Sequence, residues 1–207
     1  MFKRSVFFDH IRPLFGTLSQ SHVDGLNHLL DTWESAYGAY PRAYLAYALA
    51  TTFHETARTM RPIEEYGKGK GRKYGVAVNG RVYYGRGYVQ LTWDYNYKKA
   101  GSKLSVDLLN KPELALDPVI AAKIMYAGMI EGWFTGKKLS DYIDRSDAVG
   151  ARRIINGTDK AALIAGYHAR FLAALDASFD RSPAAAPVTG PKTGFFTALL
   201  NLFRKAR

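Results

Sequence analysis

The amino-acid sequence predicts a mainly α-helical domain with one small β-hairpin. Apolar residues recur at helical spacing along most of the chain, cap signals precede several of these runs, and one segment has the turn chemistry of a hairpin. The chain has 207 residues, of which 47% are hydrophobic, so it is long enough for one domain with a sizeable core. We expect this domain to span residues 1–181.

Five helical segments are predicted from an apolar repeat joined to a start or stop signal. The segment after Asp117-Pro118 has the strongest start, because an aspartate can cap the helix and a proline suits its first turn. It is apolar on nearly every side, so we expect it to be central and buried. Ser21 and Ser146 are the predicted caps of two other helices. The segments cover about residues 21–36, 41–59, 119–133, 146–156 and 159–179.

The predicted hairpin covers residues 76–84, and its turn is Asn79-Gly80. A tight type I′ turn needs positive φ at both central residues, which asparagine and glycine tolerate. The preceding residues 67–71 alternate glycine with lysine and predict a mobile basic loop.

The C-terminal end of the chain differs in composition from the domain. Residues 182–191 are rich in proline and alanine and are typical of a linker. Residues 192–207 form a cationic amphipathic tail, too short to span a bilayer. Two interpretations stay open: the tail lies on an anionic membrane, or it docks on its own domain.

Composition and motifs exclude several classes of function. The absence of cysteine rules out disulfides, cysteine-bound zinc, iron–sulfur clusters and thiol catalysis. His54-Glu55 resembles the start of a zinc-protease helix, but Arg58 stands where that motif needs its second histidine. We therefore expect neither a metal nor a cofactor. The net charge of +11 predicts an anionic partner, yet no DNA- or RNA-binding motif is present, so we expect no nucleic acid.

The first 20 residues do not resemble a signal peptide. Asp9, His10, Arg12 and Pro13 interrupt the apolar run that such a peptide needs. We expect the protein to fold in a cytoplasm.

Three glutamates are the candidate catalytic residues. Glu55 lies near the end of an otherwise apolar helix, where partial burial would favour the protonated form that a general acid needs. The chain turns at Pro62, so Glu64 and Glu65 lie on a segment that folds back. A sheltered acid facing a solvated carboxylate is the arrangement that glycoside hydrolysis requires. From spacing alone, Glu55 could instead pair with Arg58 or Arg61, and the other two could be surface charges.

Longer motifs raise the case for catalysis. FHETARTMRPIEE is followed by YYGRGYVQLTWDYNYKKAG, and then by LLNKPELALDPVIAAKIM and ARRIINGTDKAA. In this order they resemble the family 19 glycoside hydrolases, which include chitinases and phage endolysins. The opening FFDHIRPLFGTLSQSHVDGLNHLLDTWE resembles the phage and prophage endolysin branch. The resemblance covers about residues 5–178.

The resemblance implies a lysozyme-like, two-lobed α-helical domain with a cleft, and hydrolysis of β-1,4 bonds with inversion. It implies that Glu55 is the general acid, that Glu64 is the base with Glu65 as its rival, and that Thr92 helps to hold the attacking water. It also implies a sugar site that contains Gln90, Tyr95, Asn96 and Asn156. The hairpin pattern adds Tyr84 as a partial cleft wall, whereas Trp93 and Trp133 are expected in the core.

One family feature is missing. Plant members have a basic residue on the last helix beside the second acid, and Ile164 stands at the matching position. Arg152 or Arg153 is the candidate substitute.

The basic segment decides the expected substrate. Residues 67–86 contain six lysines and arginines and no acid, which would attract the carboxylates of peptidoglycan but not uncharged chitin. We therefore expect a monomeric endolysin that acts on peptidoglycan glycan strands and reaches the cell wall from the host cytoplasm through a holin. The alternatives are a chitinase and a cationic protein that permeabilises membranes.

Overall fold

The computed structural model describes residues 2–179, and within them the chain is mostly helical. The predicted linker 182–191 and tail 192–207 lie outside the described residues. No helix between residues 2 and 179 combines the length and apolar character needed to cross a bilayer. The α-helices and strands are α1 (Arg4–Phe15), α2 (Gln20–Ala36), α3 (Arg42–Glu55), β1 (Ile63–Glu64), β2 (Arg86–Gly87), α4 (Asp94–Leu104), α5 (Pro118–Glu131), α6 (Leu139–Tyr142) and α7 (Ala161–Ser178).

The prediction of a mainly α-helical fold is confirmed, and α3 is at its centre. Ten of the fourteen residues of α3 are buried, so this helix has almost no solvent face. It packs along α7, which also contacts α1. Phe53 joins the two helices, because its ring meets Tyr167 edge to face with centroids 4.8 Å apart. The last residue of this buried helix is Glu55, so the core itself positions the first candidate acid.

The predicted cap and burial of α5 are confirmed. The Asp117 side chain accepts hydrogen bonds from the backbone N–H groups of Val119 and Ile120, at 2.9 and 3.0 Å. The helix is buried on most sides, as its apolar sequence predicts. Removing such a cap typically costs about 1 kcal/mol of stability.

Two predicted helix caps differ from the structure. The cap of α2 is Ser19 and not Ser21, since Ser19 and His22 form the reciprocal pair of hydrogen bonds. Ser146 begins no helix; it has φ of +59° and ends the 3₁₀ helix Ile143–Arg145, and a second 3₁₀ helix covers Gly150–Ile154. Between residues 2 and 179, three α-helices that were not predicted, α1, α4 and α6, are present.

Helix α3 ends four residues before the predicted position, because the chain turns sharply after Glu55. Ala57, Arg58 and Met60 all have positive φ, a conformation that costs non-glycine residues about 1–2 kcal/mol each. Packing compensates for this cost: Met60 is fully buried, and its carbonyl approaches Gly25 so closely that a Cβ there would overlap it. The tight turn brings the chain back toward Glu64.

The predicted hairpin is reduced to its turn. Asn79 and Gly80 have φ of +50° and +74°, as the turn requires, but only Val78 and Arg81 pair across it. The regular sheet consists of β1 and β2, which are antiparallel with Glu64 opposite Arg86.

The basic segment that precedes the turn is a series of tight turns and not an irregular loop. Backbone hydrogen bonds run from Lys68 to Glu65, from Lys70 to Gly67 and from Arg72 to Gly69. The segment closes on itself where Gly75 meets Gly69, because a Cβ on Gly75 would overlap the Gly69 carbonyl. We call this close approach of Gly69 and Gly75 the neck. It closes residues 70–74 into a backbone loop, here called the ring, beside the two candidate glutamates.

Candidate active site

A cleft of about 400 Å³ lies at the C-terminal end of α3. Glu55 forms part of it, together with polar and aromatic side chains from the segment that leads into α4 and from the turn after the second 3₁₀ helix. Five of the residues predicted from the sequence therefore meet Glu55 in one cavity. The lining residues are Glu55, Tyr74, Val89, Gln90, Leu91, Thr92, Trp93, Tyr95, Asn96, Phe134, Ile155 and Asn156.

Glu55 is sheltered and held by an arginine. Its side chain is 16% exposed, and the Arg152 Nη1 donates to Glu55 Oε1 at 2.6 Å. The partners that spacing alone suggested lie elsewhere, since the Arg58 guanidinium lies over the Phe53 ring and Arg61 donates to Ser21. The expected shelter is present, but the cation that pairs with this acid comes from a segment almost 100 residues away.

Arg152 therefore contacts a different acid from the one proposed for it. The sequence suggested Arg152 or Arg153 as a partner of the second acid, whereas the side chain of Arg152 reaches the first. Its guanidinium is 4% exposed, and Nε donates to the carbonyl of Asp159 at 3.0 Å. The arginine is thus fixed from two sides.

Glu64 lies on β1 and is more exposed than Glu55. Its side chain is 35% exposed, and Oε2 forms an ion pair with Lys68 at 2.9 Å. The hydroxyl of Tyr84 donates to Oε1 at 2.8 Å. The hydrogen bonds from Lys68 and from Tyr84 hold the pKa of Glu64 below its usual value, so this carboxylate is ionised at neutral pH.

Glu65 has different partners, because neighbouring residues of an extended chain point to opposite sides. The Tyr74 hydroxyl donates to Glu65 Oε1 at 2.8 Å, and the Gly85 N–H donates to Oε2 at 3.1 Å. Tyr74 is part of the cleft lining, whereas the partners of Glu64 are not. Neither glutamate is itself in that lining, but Glu65 is connected to it through Tyr74.

The segment from Gln90 to Asn96 forms one wall of the cleft. Gln90 has φ of +53°, and its amide donates to the carbonyl of Ile63, which attaches the wall to β1. The side chain of Gln90 also packs against Gly85, where a Cβ would lie 2.7 Å from Gln90 Oε1. Gly85, the first glycine of Gly85-Arg86-Gly87, thus leaves room for the side-chain amide of Gln90. Thr92 and Asn96 are joined by a hydrogen bond from the Asn96 amide to the Thr92 carbonyl at 3.0 Å.

Trp93 lines the cleft, whereas the sequence predicted it in the core. Its ring stacks on Tyr95 with centroids 5.8 Å apart and meets Tyr74 edge to face at 5.7 Å. Tyr95 is 58% exposed, so its ring, stacked on that of Trp93, presents a flat apolar face to solvent. Trp133, in contrast, is buried as expected. The signal that placed Trp93 wrongly was residue size alone, which says nothing about the positive φ of +71° that directs this residue outward.

Tyr84 lies outside the cleft lining, although the hairpin pattern predicted it at the wall. It is 8% exposed, its hydroxyl contacts Glu64, and the Arg86 guanidinium stacks 3.6 Å from its ring centroid. In this position its hydroxyl holds the carboxylate of Glu64.

These groups fit one class of chemistry. A sheltered carboxylate, a nearby ionised carboxylate, amides, a hydroxyl and an exposed aromatic face are the components of a glycoside hydrolase site. Among residues 2–179, no three histidines, aspartates or glutamates come together as a metal site would require.

The comparison with protein families identifies the family. The sequence profile of glycosyl hydrolase family 19, described as chitinase class I, matches residues 35–144, just over half of the chain. The chain therefore belongs to glycosyl hydrolase family 19. The fold agrees: the structure superposes on chitinase C from Streptomyces griseus with a TM-score of 0.59 and 22% identity, over 84% of this chain and 76% of that chain.

Several similar curated proteins come from plants, and they match this chain only in part. Endochitinase 1 of Theobroma cacao is 39% identical over 84 residues, which cover 40% of this chain and 24% of that protein. Endochitinase A2 of Pisum sativum is 54% identical over 47 residues, or 22% of this chain and 14% of that protein. An inactive chitinase-like protein of Hevea brasiliensis is 56% identical over 45 residues. The chain thus spans a quarter or less of the length of these relatives.

Proposed function

We propose that this protein is an endolysin that hydrolyses β-1,4 glycosidic bonds of bacterial peptidoglycan with inversion. The observation that carries the proposal is the position of Glu55, sheltered in a cleft whose lining residue Tyr74 binds Glu65, the neighbour of the ionised Glu64. In an inverting reaction, an acid protonates the leaving oxygen while a base activates a water on the other side of the sugar.

The roles of the acid and the water site follow from this geometry. Glu55 transfers its proton to the glycosidic oxygen as the bond to the anomeric carbon breaks. Water attacks that carbon from the opposite face and loses a proton to the base. Thr92 lies in the cleft lining, where its hydroxyl can orient the water. The amides of Gln90, Asn96 and Asn156 can bind acetamido and hydroxyl groups, and the Tyr95 ring offers an apolar face to a pyranose.

The base is one of two adjacent glutamates, and each has separate support. The family resemblance assigns the role to Glu64, whose low pKa keeps it ionised. Glu65 has the contact with the cleft, through Tyr74. Single substitutions, described in the Discussion, distinguish them.

Charge favours peptidoglycan over chitin as the substrate. Lys70, Arg72 and Lys73 are exposed on the ring of residues 70–74, whose last residue, Tyr74, lines the cleft. Peptidoglycan carries carboxylates on its peptides, whereas chitin is uncharged, so only the former gains from a cationic surface. Chitin is the second candidate, because the similar proteins are endochitinases. The proposed setting is host lysis, with access through a holin and membrane contact through the tail 192–207.

The test compares the two polymers directly. Purified protein is incubated with isolated murein sacculi and with colloidal chitin, and the products are analysed by mass spectrometry. We expect soluble muropeptides whose reducing-end sugar shows whether the bond after muramic acid or after glucosamine is cut. A variant that reverses Lys70, Arg72 and Lys73 to glutamate should lose murein hydrolysis at half-saturating substrate. A matched reversal of Lys98, Lys111 and Lys123, also exposed, carries the same charge change and should lose much less. Hydrolysis of chitin together with intact sacculi would contradict the proposed substrate.

A further inference from the structure

The ion pair between Arg152 and Glu55 connects two distant segments of the chain at the cleft. Glu55 ends α3, while Arg152 belongs to the 3₁₀ helix Gly150–Ile154, which precedes the cleft residues Ile155 and Asn156. The arginine contributes to the site in two ways: its side chain binds Glu55 Oε1, and its backbone carbonyl accepts the N–H of Asn156 at 3.0 Å. One residue thus fixes both the candidate acid and an amide predicted to bind the sugar.

The guanidinium is well suited to this task. It is planar, permanently charged and almost completely removed from water, so its interaction with a carboxylate is little screened. Its second hydrogen bond, from Nε to the Asp159 carbonyl, prevents it from following Glu55 if the carboxyl moves. Arg152 therefore fixes Oε1 of Glu55 and leaves Oε2 outside this ion pair.

Among residues 2–179, the carboxylate that pairs with Arg152 is that of Glu55. Tyr47 on α3 lies close enough to both Arg152 and Asp147 to interact with their charges. Burial raises the pKa of Tyr47, so its hydroxyl is neutral. Asp147 is engaged with the N–H of Gly150 at 2.7 Å.

We propose that Arg152 is a positioning residue for general acid catalysis. It holds Oε1 of Glu55 so that the proton on Oε2 points at the glycosidic oxygen, and it stabilises the carboxylate that remains after the proton has moved to that oxygen. The inference rests on the proposed function, since it assumes that Glu55 is the acid. The charge on Glu55 develops as the bond breaks, so the interaction strengthens during the reaction and not on substrate binding.

Kinetics of Arg152→Met and Arg152→Lys test the proposal on whichever polymer the wild type cleaves. We expect Arg152→Met to lower kcat about 10- to 100-fold with KM almost unchanged, because a preorganised donor is removed from the developing charge. The alkaline limb of its pH–rate profile should move to higher pH. Arg152→Lys should restore part of the rate, and Arg170→Met, an exposed arginine on α7, should behave as wild type. An unchanged kcat or an unmoved limb in a folded Arg152→Met protein would overturn the proposal.

A second measurement does not depend on activity. Denaturant unfolding of Glu55→Ala, Arg152→Met and the double variant forms a cycle that measures the coupling of the two side chains. We expect the double variant to lose less stability than the sum of the single losses. Additive losses would show that the pair does not hold Glu55. If the cycle shows coupling and the wild type cleaves neither polymer, the proposed function fails while the ion pair stands, and Arg152 is then a structural residue only.

Discussion

The two carboxylate regions, one in the cleft and one beside it, are built in opposite ways. Glu55 ends a buried helix and is 16% exposed, and an arginine that is only 4% exposed binds it. Glu64 is 35% exposed on a strand of two residues, and its cation, Lys68, is largely in solvent. Helical packing provides the shelter that a proton donor requires, whereas a short ribbon leaves its carboxylate in contact with water. In the proposed mechanism, this difference between the two supports, more than the carboxylates themselves, separates the acid from the base.

The strongest test of this comparison removes the proton of the sheltered acid. Glu55→Gln keeps the shape of the side chain and a hydrogen-bond acceptor for Arg152 but cannot donate an acidic proton. We expect the rate of polymer hydrolysis to fall about 10³–10⁴-fold, as measured by release of reducing ends. Glu113→Gln, an exposed glutamate outside the cleft lining, serves as the control. Retention of more than a tenth of the activity in Glu55→Gln would remove Glu55 from the mechanism.

The next test asks which member of the exposed pair acts on water. Glu64→Gln and Glu65→Gln should differ, because the base should lose about 10²-fold in kcat while the other variant changes little. Loss in Glu64→Gln alone supports the family resemblance, and loss in Glu65→Gln alone supports the contact through Tyr74. If both variants keep full activity, the base does not come from this segment and the comparison of the two regions fails.

The smallest expected effect concerns Lys68. Its ion pair helps to hold the pKa of Glu64 below the usual value, so Lys68→Ala should raise that pKa. A base must be ionised, and the acidic limb of the pH–rate profile should therefore move to higher pH if Glu64 is the base. At neutral pH the rate should change by less than about fivefold, since an exposed ion pair contributes little. An unmoved limb would exclude Glu64 and leave Glu65.

Much of the fold could be predicted because the deciding forces are local. The apolar repeats of α2, α3, α5 and α7 identify them as helices, and Asp117 marks the start of one directly. Helix α1 was missed because charged residues and Pro13 interrupt its pattern, although a proline is accommodated near the end of this helix. Helix α4 was missed because it has few apolar residues, and only Tyr97, Ala100 and Gly101 are buried.

The sequence predicted most residues of the candidate site but not the contacts that hold them in place. The family motifs brought forward Glu55, Gln90, Thr92, Tyr95, Asn96 and Asn156, and the structure brings these six to one cleft. The pairing of Arg152 with Glu55 depends on how α3 meets the 3₁₀ helix, and no local pattern encodes a contact between residues so far apart in sequence. The same holds for Tyr84, whose orientation toward Glu64 follows from the register of β1 and β2.

Because Gly69 and Gly75 meet at the neck, substitutions in residues 70–73 are separated from the backbone that supports Glu65. Residues 70–73 hang from this neck, so their charges can be exchanged without moving the backbone that holds Glu65 and Gly85. Preference for one anionic or neutral glycan over another could then diverge rapidly between related proteins while the reacting groups stay in place. The same neck marks residues 70–73 as the position at which foreign recognition loops could be grafted onto this scaffold.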